Sequence, residues 1–210
     1  SPSRGLGDVY KRQIQYPAEF HAQTAVEAAI KLHESVASKL EIIDKIVIRT
    51  QEPAIRIISK VGKLANAADR DHCIQYMVAV GLIFGDLIAE YYEDDFHQEN
   101  QLIDKLRDKM IIEEDNQFSM DYLDPEKRSI ANAVQVFFND GTCSNDIQIE
   151  YPIGHKKRRE EGIPLLEEKF WNNLNTCFDK DKSKLIYDLC LNQEKLEKTK
   201  VHEFMELFVK

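Results

Sequence analysis

The sequence has no Cys-x-x-Cys pair. Its four cysteines, Cys73, Cys143, Cys177 and Cys190, stand far apart, so neither a metal or cluster site built from this chain nor a disulfide framework is expected. Positive charge is short: 28 Lys and Arg against 37 Asp and Glu leave a net charge of −9. That is the wrong sign for binding nucleic acid or an anionic membrane surface. No apolar run approaches the roughly 18 residues needed to span a bilayer. A Gly-rich phosphate loop, a Gly-x-Ser-x-Gly elbow and a His-Glu-x-x-His helix are all missing, as are internal repeats. What is there is 210 residues, 43% hydrophobic and 31% charged, enough for one sizeable core or two small ones. The expectation is a soluble, reduced, cytoplasmic protein.

Residues 1–13 (SPSRGLGDVYKRQ) lack apolar periodicity and any continuity with the residues after them. Asp8 to Gln13 resembles the translation of a transposon adapter used in sequencing libraries. The segment is therefore expected to be non-native, with protein sequence starting near Ile14 and an upstream part lost.

Beyond it the spacing predicts a helix from His21 to about Leu40 and a strand over Lys45–Thr50. A long buried helix is expected over Asp71–Tyr92, with Gly81 and Gly85 allowing another element to approach closely. A further helix is expected over Gln98–Met110. Val134, Val136 and Phe138, then Ile147, Ile149 and Tyr151, alternate with polar residues around Asp140-Gly141, which reads as a β-hairpin. Three helices come after it, carried by Leu166 to Phe178, Leu185 to Cys190, and Val201 to Phe208. The fold class is α+β: a mixed lobe over residues 14–155, then an all-helical segment over 156–210.

Three polar clusters could carry chemistry. Around Asn66 to Tyr76, Asp69, His72 and Tyr76 would share one stripe of a helix near its anion-friendly start. Such parts suit a carboxylate ligand and proton transfer; the ordinary alternative is a cap with two surface side chains. Glu19, His21 and Gln23 would be presented together where a loop turns into a helix, or would serve as a cap with a partly buried histidine. Lys156 to Arg159 is a run of four cations that could grip a polyanion, or a solvated loop. His33, His97 and His202 are isolated and expected to be structural.

Four segments in these regions resemble one family. YPAEFHAQTAVEAA (Tyr16–Ala29), ADRDHCIQYMVAV (Ala68–Val80), DPEKRSIANA (Asp124–Ala133) and YPIGHKKRREEGIPLLEEKF (Tyr151–Phe170) are similar, in order and in register, to the C-terminal part of MmgE/PrpD proteins, whose full chains are more than twice as long. The resemblance implies an α+β lid (14–155) inserted into a larger helical domain, to which 156–210 would belong. It implies loss of water from 2-methylcitrate to give 2-methyl-cis-aconitate in propionate breakdown, with no cofactor or metal. It places Tyr76 as acid or proton shuttle and His72 as base or carboxylate binder. His21 would join them in catalysis, with Glu19, Gln23, Asp69, Arg70 and Gln75 binding substrate; an ion pair with a neighbouring acid is the competing role for Arg70. Partners would be a tricarboxylate, the missing N-terminal half and a second copy of the complete enzyme. Family members commonly carry a lysine just before the Tyr-Pro pair, where this chain has Gln13. Related activities, cis-aconitate decarboxylation and amino-dicarboxylate epimerisation, use the same kind of pocket. A non-catalytic carboxylate-binding module is the rival from another class.

Overall fold

Alternating burial builds the sheet. In β1 (Ile43–Thr50) Ile46, Ile48 and Thr50 are buried and the residues between them only half-buried, the pattern of a strand with one face on a core. With β2 (Met110–Glu114), β3 (Asn132–Phe138) and β4 (Ile147–Ile149) it forms a four-stranded mixed sheet in the order β2-β1-β3-β4. β1 is parallel to β2, with Ile46 beside Met110, and antiparallel to β3, with Ile48 beside Val134. β3 is antiparallel to β4, with Val134 beside Ile147. The computed structural model describes residues 15–209; the expectations for residues 1–13 lie outside the described residues.

Two helices build the core with this sheet. α1 (Gln23–Val36) packs against β3 and β4 and also against a second helix over Ile74–Phe84. Ala25, Ala28 and Ala29 on α1 are fully buried. Opposite them a Cβ at Gly81 would sit 3.0 Å from the Cβ of Ala29. The helices meet at a line of small side chains, as the spacing of the glycines predicts.

The remaining elements of this lobe are α2 (Glu52–Ile58), α3 (Ala67–Asp71), α4 (the Ile74–Phe84 helix), α5 (Asp94–Glu99), α6 (Leu102–Arg107) and α7 (Asn116–Leu123). They correct two sequence expectations. The single helix over Asp71–Tyr92 is instead α3, a break at His72 and Cys73, α4, and a 3₁₀ turn over Ala89–Tyr92. α3 is polar apart from its alanines, whereas every residue from Ile74 to Leu82 is buried, so a continuous axis would drag Asp69 and Asp71 into the core. α4 ends at Gly85, whose φ of +70° only glycine adopts without strain. The helix over Gln98–Met110 is α5's last turns, α6 and then the edge strand β2, with Met110 its first residue.

The hairpin is present, with Gly141 at φ +82°. Its return strand β4 stops at Ile149, short of Tyr151. The intervening loop is closed by Phe138 N–H on Thr142 O at 2.9 Å and by Asp140, which accepts from Thr142 N–H at 2.9 Å.

The chain divides into two compact units, one ending at Arg158 and one starting at Arg159. The second contains α8 (Arg159–Cys177), α9 (Lys180–Cys190), α10 (Gln193–Lys198) and α11 (Val201–Glu206), one helix more than expected. Asp179 and Asn192 cap α9 and α10 through the backbone N–H groups of Lys182 and Lys195. Phe170 and Trp171 pack on Tyr187, and Phe204 on Phe208.

Candidate active site

The segment entering α1 is held by its own side chains. The Gln23 amide donates to the carbonyls of Tyr16 (2.8 Å) and Ala18 (2.9 Å), so its donors are used to fold the Tyr16-Pro17-Ala18 turn. Glu19 caps the 3₁₀ turn Phe20–Ala22 by accepting from His21 N–H at 2.7 Å. Its two oxygens also lie 3.0 Å from His21 Nδ1. An ionised carboxylate can only accept, so Nδ1 carries the hydrogen; in the neutral ring Nε2 then keeps its lone pair. Burial would raise the Glu19 carboxyl, but the bonds and charge of His21 outweigh it. A smaller contribution from His72 acts the same way, and the carboxyl is held below its ordinary range.

His21 Nε2 faces Tyr122 Oη at 3.2 Å, and the two rings are tilted with centroids 5.6 Å apart. Against the neutral ring the phenol donates to Nε2; against the imidazolium its oxygen accepts from Nε2–H. Tyr122 lies on α7, which Asp115 caps through Gln117 and Phe118 N–H, while Phe118 is buried against Ala131 and Ala133. The chain then turns through Arg128, at φ +49° the one non-glycine residue with positive φ among the described residues, and returns as β3. There Asn132 Nδ2 donates to His21 O (2.8 Å) and to Thr24 Oγ1 (2.7 Å). The segment from Tyr122 to Asn132 thus brings a phenol to the imidazole and an amide to its backbone. Neither residue was singled out from spacing. The available signal was the DPEKRSIANA stretch, which starts just after Tyr122 and contains Asn132.

The other cluster is not one stripe. Asn66, not Asp69 or Asp71, caps α3, accepting from Asp69 N–H at 2.9 Å. Asp69 accepts from Ala65 N–H (3.0 Å) and Lys60 Nζ (3.4 Å); the Ala65 bond leads in holding its carboxyl low. His72 is half-exposed and bonded to Asp71. Gln75 is buried, accepting from Lys60 N–H and donating to Ser59 Oγ, both at 3.2 Å. Arg70 is 2% exposed, with its Nε on Tyr92 O at 2.7 Å and its guanidinium paired to Asp94, the ion-pair role that competed with substrate binding. Tyr76 is fully buried. Its phenol donates to Tyr91 O at 2.6 Å, and burial pushes its ionisation well above the ordinary range.

The basic run is a 3₁₀ turn leading into α8, and its members differ. Arg158 forks onto Glu27 at 2.7 and 2.9 Å, a pair whose side chains are 15% and 6% exposed. Lys157 donates to Tyr151 Oη at 2.6 Å. A solvated loop describes Lys157, which is exposed, but not Arg158. His33 Nδ1 donates to Leu82 O at 2.9 Å, and His97 bonds Asp104 at 3.0 Å. Among the described residues no group of three or more His, Cys, Asp or Glu is placed to hold a metal ion, and no helix is long and apolar enough to cross a membrane.

Residues 16–193 match the model of the MmgE/PrpD C-terminal domain. The chain is 50% identical over 200 residues to 2-methylcitrate dehydratase of Salmonella typhimurium, covering 94% of this chain and 41% of that protein. It is 46% identical over 201 residues to the mitochondrial 2-methylcitrate dehydratase of Yarrowia lipolytica, covering 94% and 38%. It is 41% identical over 210 residues to alkylcitrate dehydratase phiI of a fungal species, covering 98% and 40%. The chain thus spans about two fifths of the length of the curated relatives it matches.

Proposed function

Because the chain belongs to the MmgE/PrpD family, we propose that it is the C-terminal part of a hydro-lyase that removes water from 2-methylcitrate to give 2-methyl-cis-aconitate. The observation that carries this reading is the Glu19–His21 pair. Such an elimination needs a base for a carbon-bound proton next to a carboxylate. A neutral imidazole with its lone pair on Nε2, backed by a carboxylate that stabilises the imidazolium once formed, meets that need.

His21 is the base in this reading and Glu19 its orienting partner. His72, exposed and near enough for its charge to act on Glu19, is suited to receive a substrate carboxylate. Gln23, Asp69, Arg70 and Gln75, with their polar groups engaged inside the chain, keep the surrounding loops in place, and Tyr76 supports them from the core. Residues up to Arg158 act as the lid. The four helices after it complete a larger helical domain, whose other part corresponds to the preceding three fifths of the relatives. A homodimeric complete enzyme is what the family resemblance implies, and a cytoplasmic location is what composition suggests; the Yarrowia relative is named as mitochondrial.

The test is to fuse residues 15–210 behind the preceding part of the Salmonella relative and follow the ultraviolet absorbance of the new conjugated double bond. Turnover of 2-methylcitrate by the fusion, and none by the 210-residue chain alone, is the expected result, because the isolated chain offers one wall of a site that must hold substrate and exclude water. A folded fusion that leaves 2-methylcitrate intact, or that releases carbon dioxide from cis-aconitate instead, removes the dehydratase reading.

A further inference from the structure

Resting on the dehydratase reading, we propose that Tyr122 is the catalytic acid: its phenol protonates the departing hydroxyl of the substrate and is restored by His21. Three observations carry this. Tyr122 Oη lies 3.2 Å from His21 Nε2, on the side of the imidazole opposite Glu19. Tyr122 is half-buried rather than sealed in the core. Its helix is pinned at both ends, by the Asp115 cap and by Ser129 N–H on Asp121 O at 3.2 Å, which fixes the phenol against the ring. Tyr76 has no such partner: its phenol donates to a backbone carbonyl, which can return no proton, and its side chain is fully buried.

The proton balance closes. Once the phenol turns from it to the substrate hydroxyl, His21 Nε2 takes the carbon-bound proton next to the carboxylate; the electron pair left on carbon, delocalised into that carboxylate, then becomes the second bond of the product's C=C. The C–O bond breaks with its electron pair on oxygen, which takes the Tyr122 proton and leaves as water. The imidazolium then returns its Nε2 proton to the tyrosinate across the short contact between them. Glu19 keeps its charge throughout and holds Nδ1–H in place. The site ends in its starting protonation state with no other reactant consumed.

The experiment uses the fusion enzyme in D₂O with 2-methylcitrate, comparing Tyr122→Phe with the unsubstituted protein. Two rates are measured: product formation, and exchange of the substrate's carbon-bound proton for deuterium. Product formation should fall about 10²–10⁴-fold, while exchange, which needs only His21, persists within a few-fold. Product formation within tenfold of the unsubstituted enzyme overturns the proposal. So does equal loss of both rates, which makes Tyr122 a support for His21 rather than an acid. In the 210-residue chain, the ¹⁵N shift of His21 Nε2 should move on Tyr122→Phe; an unmoved shift denies the contact itself. An unsubstituted fusion without product overturns the dehydratase reading instead.

Discussion

Two tyrosine–histidine pairs in this lobe have nearly the same ring separation and opposite characters. Tyr122 and His21 lie with centroids 5.6 Å apart, and Tyr76 and His97 lie 5.5 Å apart. In the first pair the phenol points at the imidazole nitrogen, the imidazole is backed by a carboxylate, and the tyrosine is only half-buried. In the second the rings meet edge to face, the phenol donates to Tyr91 O, and the histidine turns to Asp104. Proximity of the right residue types is therefore no guide to chemistry. The direction of the polar atoms and the burial of the phenol separate the two pairs.

The sharpest way to break that contrast is to remove each histidine. His21→Gln in the fusion enzyme should lower turnover about 10²–10⁴-fold, whereas His97→Gln should cost less than tenfold in turnover and show mainly as a lower unfolding midpoint. Equal losses of turnover would make both pairs catalytic. The tyrosines give a smaller, crossed effect on stability. Tyr76→Phe leaves a buried carbonyl without its donor and should destabilise by about 1–2 kcal/mol, read by denaturant unfolding. Tyr122→Phe, at a half-buried site, should cost about 0.5 kcal/mol or less while its effect appears in turnover.

The smallest expected effect is a pH dependence. The Glu19 carboxyl is lower in the folded protein than its ordinary value of 4.5. Its contribution to stability is then complete above about that pH and is lost as pH falls through the lower folded value. The destabilisation caused by Glu19→Gln at pH 7 should therefore shrink at pH 3. A difference that stays constant across that range would mean that Glu19 is not held ionised by His21.

Legibility tracked the range of the interaction that decides each element. β1, α1 and the Asp140-Gly141 turn are set by alternation, small residues and a left-handed glycine, all visible locally. The break between α3 and α4 carries no proline or glycine. It arises because Arg70 is drawn to Tyr92 and Asp94 while the next turn is buried, so spacing alone joined the two helices and put Asp69, His72 and Tyr76 on one stripe. β2 is a five-residue edge strand whose Ile111 is exposed, and its short apolar run fitted the end of a helix equally well. Arg158 looked like one cation among four, because its partner Glu27 is far away in the chain. Tyr122 had no local signal at all; only its place beside a family-like stretch hinted at it.

The contact between His21 and Tyr122 joins residues 101 apart, and the bond from Asn132 to His21 O spans 111. Between them lie the whole crossover from β1 to β2 and the turn back into β3. Closing such long loops is entropically costly, and folds dominated by them form slowly. During synthesis His21 leaves the ribosome more than a hundred residues ahead of the groups that aim it. The imidazole gains its phenol and its fixed backbone only once α7 and the first residue of β3 have reached it. Formation of the His21–Tyr122 contact can therefore serve as a clock for this long-range docking, read in a refolding experiment by the same nitrogen shift that reports the contact in the native state.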